Sequence, residues 1–199
     1  MTIDFPKLEI GRKTGTEKFL RHLKSLDVDL LSFWRWAASD LVSNATRGVL
    51  AEYIVGKALG LADGVRAEWD AFDLLTKEGL KIEVKSASYI QSWFHKNLSK
   101  ITFGIQPTKG WDPSTNESAA EISRQADVYV FCLLAHKDQE TLDPLNLDQW
   151  EFYVLPATIL NAACPTQKTI GLSSLSRLGA VKAAYEEISG CVAGCPVAR

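Results

Sequence analysis

The run Val128 to Leu134, VYVFCLL, constrains the fold more than any other stretch of the chain. Seven apolar residues in succession make a strand that is apolar on both faces. Such a strand belongs in the middle of a sheet with cover on each side. The periodicity places this strand at 127–135, with Cys132 inside it as a core residue, and further strands at 100–105 and 150–155. Helical spacing is found at 17–26, at 30–42 with Phe33, Trp34, Ala37 and Leu41 as the apolar side, and at 47–61. It recurs at 116–125, at 156–161, and at 173–188, where Leu175, Leu178, Val181 and Tyr185 would pack on the sheet. Arg35 and Trp36 read as residues that pack against the following helix or touch a substrate. The segment up to Thr16 reads as loosely structured and the residues from Gly190 as a mobile end.

This order of elements predicts an α/β fold. A central mixed β-sheet of about five strands is flanked by helices, in one domain over 1–199 with an N-terminal helical extension over about 1–45. At 199 residues and 46% hydrophobic, the chain can build a good core without disulfides.

Trp69 to Ser86, WDAFDLLTKEGLKIEVKS, reads as a hairpin. Lys77, Glu78 and Gly79 form a three-residue loop in which Gly takes the left-handed last position. Centring the pairing on Glu78 sets Thr76 opposite Leu80, Leu75 opposite Lys81 and Asp73 opposite Glu83. Opposed residues and residues two apart share a face, so Asp73, Glu83 and Lys85 cluster while Asp70 falls opposite Ser86 on the other face. A bulge near the turn would shift the register by one and favour Asp70 instead. The plain alternative is an exposed charged face on which Lys81 and Lys85 neutralise Glu83. Against it, Lys81, Glu83 and Lys85 alternate with Ile82, Val84 and Ala87, read as core.

The helix at 47–61 has its apolar stripe at Leu50, Tyr53, Ile54, Ala58 and Leu61. Glu52 lies nearly opposite, on a side shared with Val55 and Leu59, which predicts a half-buried carboxylate in need of a partner, a raised pKa or a cation. The alternative is a rim residue that reaches solvent or pairs with Arg47 or Lys57.

A helical acidic residue, an Asp at a strand end and a hairpin into Glu-x-Lys resemble the PD-(D/E)xK nuclease superfamily, the restriction-endonuclease-like fold. The matching residues are Glu52, Asp73 and Glu83-Val84-Lys85, with Phe72 where the family often has proline. The resemblance implies a catalytic set of Glu52, Asp73, Glu83 and Lys85. It implies Mg²⁺ held by Asp73, Glu83 and the Val84 carbonyl, with Glu52 completing the site directly or through water, and Mn²⁺ as a substitute. Lys85 would orient or activate the attacking water and stabilise the pentacovalent transition state.

Between Leu75 and Gly110 six lysines face two glutamates, a local charge of +4. Tyr89, Trp93, Phe94 and Trp111 interleave with those bases. Lys96, Lys100, Lys109, Gln91, Tyr89 and Trp93 are therefore the candidate nucleic-acid contacts, with His95 and Asn97 as further donors. The other reading of Tyr89, Trp93 and Phe94 is a core or lid packing a short helix after the strand. By contrast 136–151 carries −4 and should face away from nucleic acid.

The whole chain has net charge −2 and pI near 5.9, without the basic excess usual in nucleic-acid-binding domains. Cys191 and Cys195 lack the second pair or histidines a zinc site needs, and no phosphate-binding glycine loop, nucleophilic triad or internal repeat is present. With no signal sequence and no long apolar run, a soluble cytoplasmic protein without membrane attachment is the default. The expectation is a Mg²⁺-dependent endonuclease acting on DNA, commonly a homodimer when both strands are cut. Two alternatives remain: a catalytically inactive nucleic-acid-binding or assembly module on the same fold, and a structural domain whose charged hairpin meets another protein.

Overall fold

The computed structural model describes residues 5–68, 71–112 and 115–196. The elements in chain order are β1 (Lys18–Arg21), β2 (Lys24–Asp29), α1 (Leu30–Ala38), α2 (Asn44–Ala58), β3 (Leu74–Leu75), β4 (Lys81–Ser88), β5 (Thr102–Gly104), β6 (Thr108–Asp112) and β7 (Glu117–Ser123). They continue with β8 (Val128–Leu134), β9 (Trp150–Pro156), α3 (Ala157–Ala163), β10 (Thr169–Gly171), α4 (Leu172–Arg177), β11 (Val181–Ala183) and α5 (Ile188–Ala193).

The apolar run becomes β8, every residue of which is buried. It is the middle strand of a five-stranded mixed sheet in the order β11-β9-β8-β4-β3. β4 runs parallel to β8, with Glu83 beside Tyr129 and Lys85 beside Phe131, while the other neighbours are antiparallel. Each face of β8 then has its own core. Val128, Val130, Cys132 and Leu134 pack with Ile82, Val84, Phe152 and Val154 beneath α2 and α5. Tyr129, Phe131 and Leu133 pack on the other face with Phe103, Leu155, Leu160 and Leu175.

That second face is covered by α3, α4 and a two-stranded sheet of β5 and β10, so helices alone do not flank the sheet. Ala87 joins this second core, which corrects the reading that put it with Ile82 and Val84. The physical reason is pleating: residues 83, 85 and 87 share one side of β4, and only its later part is roofed.

Several expected helices are strands. Residues 17–26 form the β1–β2 hairpin, in which Arg21 pairs with Lys24 and both loop residues, His22 and Leu23, take positive φ of 50° and 63°. That is the twist a two-residue hairpin loop requires, reached here without the usual Asn or Gly. Residues 117–123, expected in the 116–125 helix, form β7, antiparallel to β6 and exposed along its length. Without a core to receive an apolar stripe, the segment satisfies its backbone by pairing with β6.

α1 stops at Ala38, and none of its residues is buried; Trp36 is 85% exposed and meets Phe33 at 6.5 Å between ring centroids rather than packing on the next helix. The 173–188 helix is broken. Gly179 at φ +81° ends α4, and the chain turns into β11, a 3₁₀ turn at Tyr185–Glu187 and α5. Leu175 is buried as expected but Val181 is exposed. Among the described residues beyond Gly190, those of α5 are anchored on the core, where Val192 is 1% exposed. Among the described residues no helix is long and apolar enough to cross a membrane.

Candidate active site

The hairpin that carries the candidate site forms in the register its turn dictates. Leu74 pairs with Ile82 and Leu75 with Lys81. The Asp73 amide donates to the Ile82 carbonyl at 3.0 Å, and the Thr76 amide to the Leu80 carbonyl at 2.9 Å. Gly79 occupies the left-handed position at φ +88°. Asp73 is therefore set across from Glu83. Asp70, the alternative aspartate, lies outside the described residues together with Trp69.

Asp73 does not simply face solvent. Its Oδ2 accepts the Val84 amide at 2.7 Å, and with Glu83 it lines a cleft of about 280 Å³ bounded by Phe72, Thr108, Lys109 and Trp111. Burial, then the nearby Glu83 charge, pushes the Asp73 carboxyl up to about 7; the Val84 amide opposes the rise and Glu52 adds to it. The Lys85 ammonium donates to Glu83 Oε1, its neighbour two residues away on the same face of β4. Lys85 and Glu83 also line a second cleft of about 260 Å³, with Gly104, Gln106, Arg124 and Tyr129 on its other walls. Burial first and the Glu83 charge second raise the Tyr129 phenol above its ordinary value.

α2 positions Glu52. The helix starts on the Ser43 cap, three residues earlier than the periodicity suggests, and buries Arg47, Ala51, Ile54, Val55 and Gly56, so its true core stripe only partly matches the expected one. Glu52 is half-buried, with its side chain 14% exposed. Its partner is neither Arg47 nor Lys57 but Arg66, whose Nε and Nη2 reach the two carboxylate oxygens. Lys57 instead pairs with Asp63 at 3.2 Å. Glu52 and Asp73 share a third cleft, with Arg66 and Phe72 on its wall. Arg66 carried no motif signal; only its spatial return onto α2 reveals it.

The donor set suits a hard divalent cation. Two carboxylates of opposed residues meet in one cleft, and the raised Asp73 pKa is the electrostatic cost that a cation would relieve. Mg²⁺ commonly takes one or two carboxylates and keeps several waters. Among the described residues no group of three or more His, Cys, Asp or Glu side chains is arranged to hold a metal, and Glu52 is turned to Arg66.

The candidate nucleic-acid residues divide between places. Lys109 stands at the Asp73–Glu83 cleft. Gln91, Trp93 and Lys100 line a separate cleft of about 360 Å³. Tyr89 is packed against the second core and lies 4.6 Å beneath the Lys137 ammonium, so the acidic 136–151 segment begins against it rather than apart from it. Lys96 is exposed and lines neither of these two clefts. No helix follows β4, and Trp93 and Phe94 are 52% and 87% exposed, which removes both from the core.

A mixed sheet whose strand β4 carries Glu83 and Lys85, with Asp73 across from Glu83, defines an α/β protein with a carboxylate–lysine cluster. Residues 2–173 match the model of the bacteriophage T4 endonuclease IV family, and the chain belongs to that family, a family of nucleases. No curated protein matches the chain closely enough to count as a relative.

Proposed function

We propose that this protein is a metal-dependent endonuclease that hydrolyses DNA phosphodiester bonds on a restriction-endonuclease-like fold spanning 1–199. The observation that carries the reading is Glu83, which shares one cleft with Asp73 and is ion-paired to Lys85 at the neighbouring cleft, within a chain of an endonuclease family. Asp73, Glu83 and the Val84 carbonyl would hold Mg²⁺ or Mn²⁺, with Glu52 reaching it through water or after release from Arg66. A bound divalent ion supplies Lewis acidity and a water of lowered pKa.

The chain's own groups do the rest. Without a cation, burial and the Glu83 charge push the Asp73 carboxyl up to about 7; as a ligand it would be held in its charged form. Lys85, held on Glu83, places a positive charge where the attacking water must be oriented and where negative charge grows on the phosphate. Lys109 and Lys100 draw the substrate backbone toward the strand end. Cutting both strands calls for a homodimer, acting in the cytoplasm.

The test is cleavage of supercoiled plasmid and single-stranded DNA with Mg²⁺, Mn²⁺ or EDTA, beside Glu83→Ala. Metal-dependent cutting lost in the variant supports the reading. Metal-independent cutting, or cutting that survives in Glu83→Ala, overturns it.

A further inference from the structure

Arg47 is 3% exposed, yet no carboxylate lies within ion-pair distance of it among the described residues. Its Nη1 donates to the Val42 carbonyl at 2.8 Å and to Gln91 Oε1 at 3.4 Å, and its Nη2 to Asn44 Oδ1 at 2.7 Å; its buried Nε has no partner. Burying a cation without a counter-ion is expensive, and among the described residues only neutral oxygens meet this one. Burial accordingly holds the guanidinium below its ordinary pKa.

This side chain sits in the first turn of α2, a 15-residue helix whose free amides add positive potential, and it lines the 360 Å³ cleft. Apart from Ala87 and Trp93, the rest of the lining is polar or basic. Lys100 contributes a second base, Ser86, Ser99 and Thr102 contribute hydroxyls, Gln91 an amide, and no acidic residue is present. Gln91 is itself fixed, donating to the Ser88 carbonyl at 2.9 Å and to Ser99 Oγ at 3.1 Å while accepting from Arg47. A preorganised cradle of buried guanidinium, hydroxyls and helix N-terminus is the chemistry of an oxyanion site.

Its position names the occupant. The cleft of Glu83 and Lys85 is walled by β4 on one side and Gly104 to Gln106 on the other. The Arg47 cleft is a separate one, lined by neighbouring residues of the same two segments, Ser86 to Ser88 on β4 and Ser99, Lys100 and Thr102. Ser88 is five residues beyond Glu83, about 16 Å along the strand.

We infer that the Arg47 cleft binds a phosphate of the nucleic-acid backbone, a non-scissile one a few nucleotides from the group at Glu83 and Lys85. The inference rests on the nuclease reading for its occupant, since inorganic phosphate offers the same chemistry. Its role is to fix the register of the strand, not to read bases.

The test measures binding of a fluorescein-labelled DNA duplex in EDTA, across a salt series, for the full chain and for Arg47→Gln, Lys100→Ala and Thr102→Glu. Arg177→Ala, on α4, controls for general loss of positive charge. Each of Arg47→Gln and Lys100→Ala should weaken binding on the order of tenfold on every sequence and lower the salt slope by about one, as loss of one phosphate contact does. Thr102→Glu should weaken binding further, with Arg177→Ala unchanged. If Arg47→Gln fails to fold, the exposed Lys100 and Thr102 carry the test.

Binding unchanged in Lys100→Ala and Thr102→Glu overturns the inference, as does a wild-type chain that binds no duplex. Inorganic phosphate that raises the melting temperature of the wild type but not of Lys100→Ala, without duplex binding, assigns the cradle to free phosphate and likewise overturns it. Plasmid cleavage with Mg²⁺ is scored separately. A protein that binds DNA through Arg47 but never cuts would sink the nuclease reading and leave the cradle standing.

Discussion

Arg66 grips Glu52 with two nitrogens on two oxygens, Nη2 to Oε1 at 3.0 Å, while its Nη1 reaches Glu68 at 4.0 Å. A loop residue thereby neutralises the helical carboxylate that faces Asp73 across their shared cleft. On the metal-dependent reading proposed above, the pair would hold back an oxygen donor from the cation.

Arg66→Gln should therefore split stability from cation affinity. Losing the pair leaves a half-buried carboxylate near Asp73 and should cost about 1 kcal/mol, modest because Arg66 is solvent-screened. Affinity for Mn²⁺ should rise as Glu52 becomes free to contribute. Urea unfolding and calorimetric Mn²⁺ titration check both. Weaker Mn²⁺ binding in the variant would show that Glu52 serves only the ion pair.

Lys85→Ala should abolish cleavage while leaving the fold intact. Removing one preorganised group that meets transition-state charge lowers turnover by roughly 10²–10³-fold. Circular dichroism and the melting temperature should stay within the range of a surface change, since Lys85 is a third exposed and its partner Glu83 keeps access to solvent. Wild-type cleavage by the variant would remove Lys85 from the catalytic set.

Asp73 makes the metal-free protein sensitive to pH. Its carboxyl rises from 3.8 to about 7 on folding, so the native state favours the protonated form. The contribution to stability is complete below the unfolded value, declines as pH rises, and is gone above about 7; at most it is about 4 kcal/mol. In EDTA the unfolding midpoint should fall between about pH 4 and about pH 7, and Asp73→Asn should flatten the profile. Saturating Mg²⁺ at the higher pH should restore the loss in wild type alone. Asp73→Asn should also weaken metal binding far more than Asp70→Asn.

Gly79→Ala tests the turn. No atom stands within 4 Å of the Cβ it would add, so the cost is the left-handed backbone at φ +88° alone, about 1 kcal/mol. A urea midpoint that does not move would show that the loop re-forms in another conformation.

The site hairpin was legible because everything that specifies it is local. A glycine-ended loop and strict alternation set the register, and the register puts Asp73 across from Glu83. The central strand and its two neighbours, β9 and β4, were legible for a related reason: a two-sided apolar run has few places to lie. Local signals failed where the apolar pattern had no fixed face to serve. Residues 118–122, SAAEI, carry helical propensity, but with no core beneath them they pair with β6. His22 and Leu23 carry no turn signal, and the hairpin they close is visible only in the structure.

The sequence by itself determined a mixed-sheet protein with a double-faced core strand and a carboxylate–lysine hairpin, because periodicity and turn chemistry act over a few residues. Only the tertiary structure decided which charges meet across long separations. Arg66 closing on Glu52, Arg47 buried against Gln91, and the roof of β5 and β10 over Ala87 all join segments that no local pattern relates. Burial then sets what those charges can do. It raises the Asp73 carboxyl and lowers the Arg47 guanidinium, because the cost of desolvation depends on the final packing and not on the order of residues.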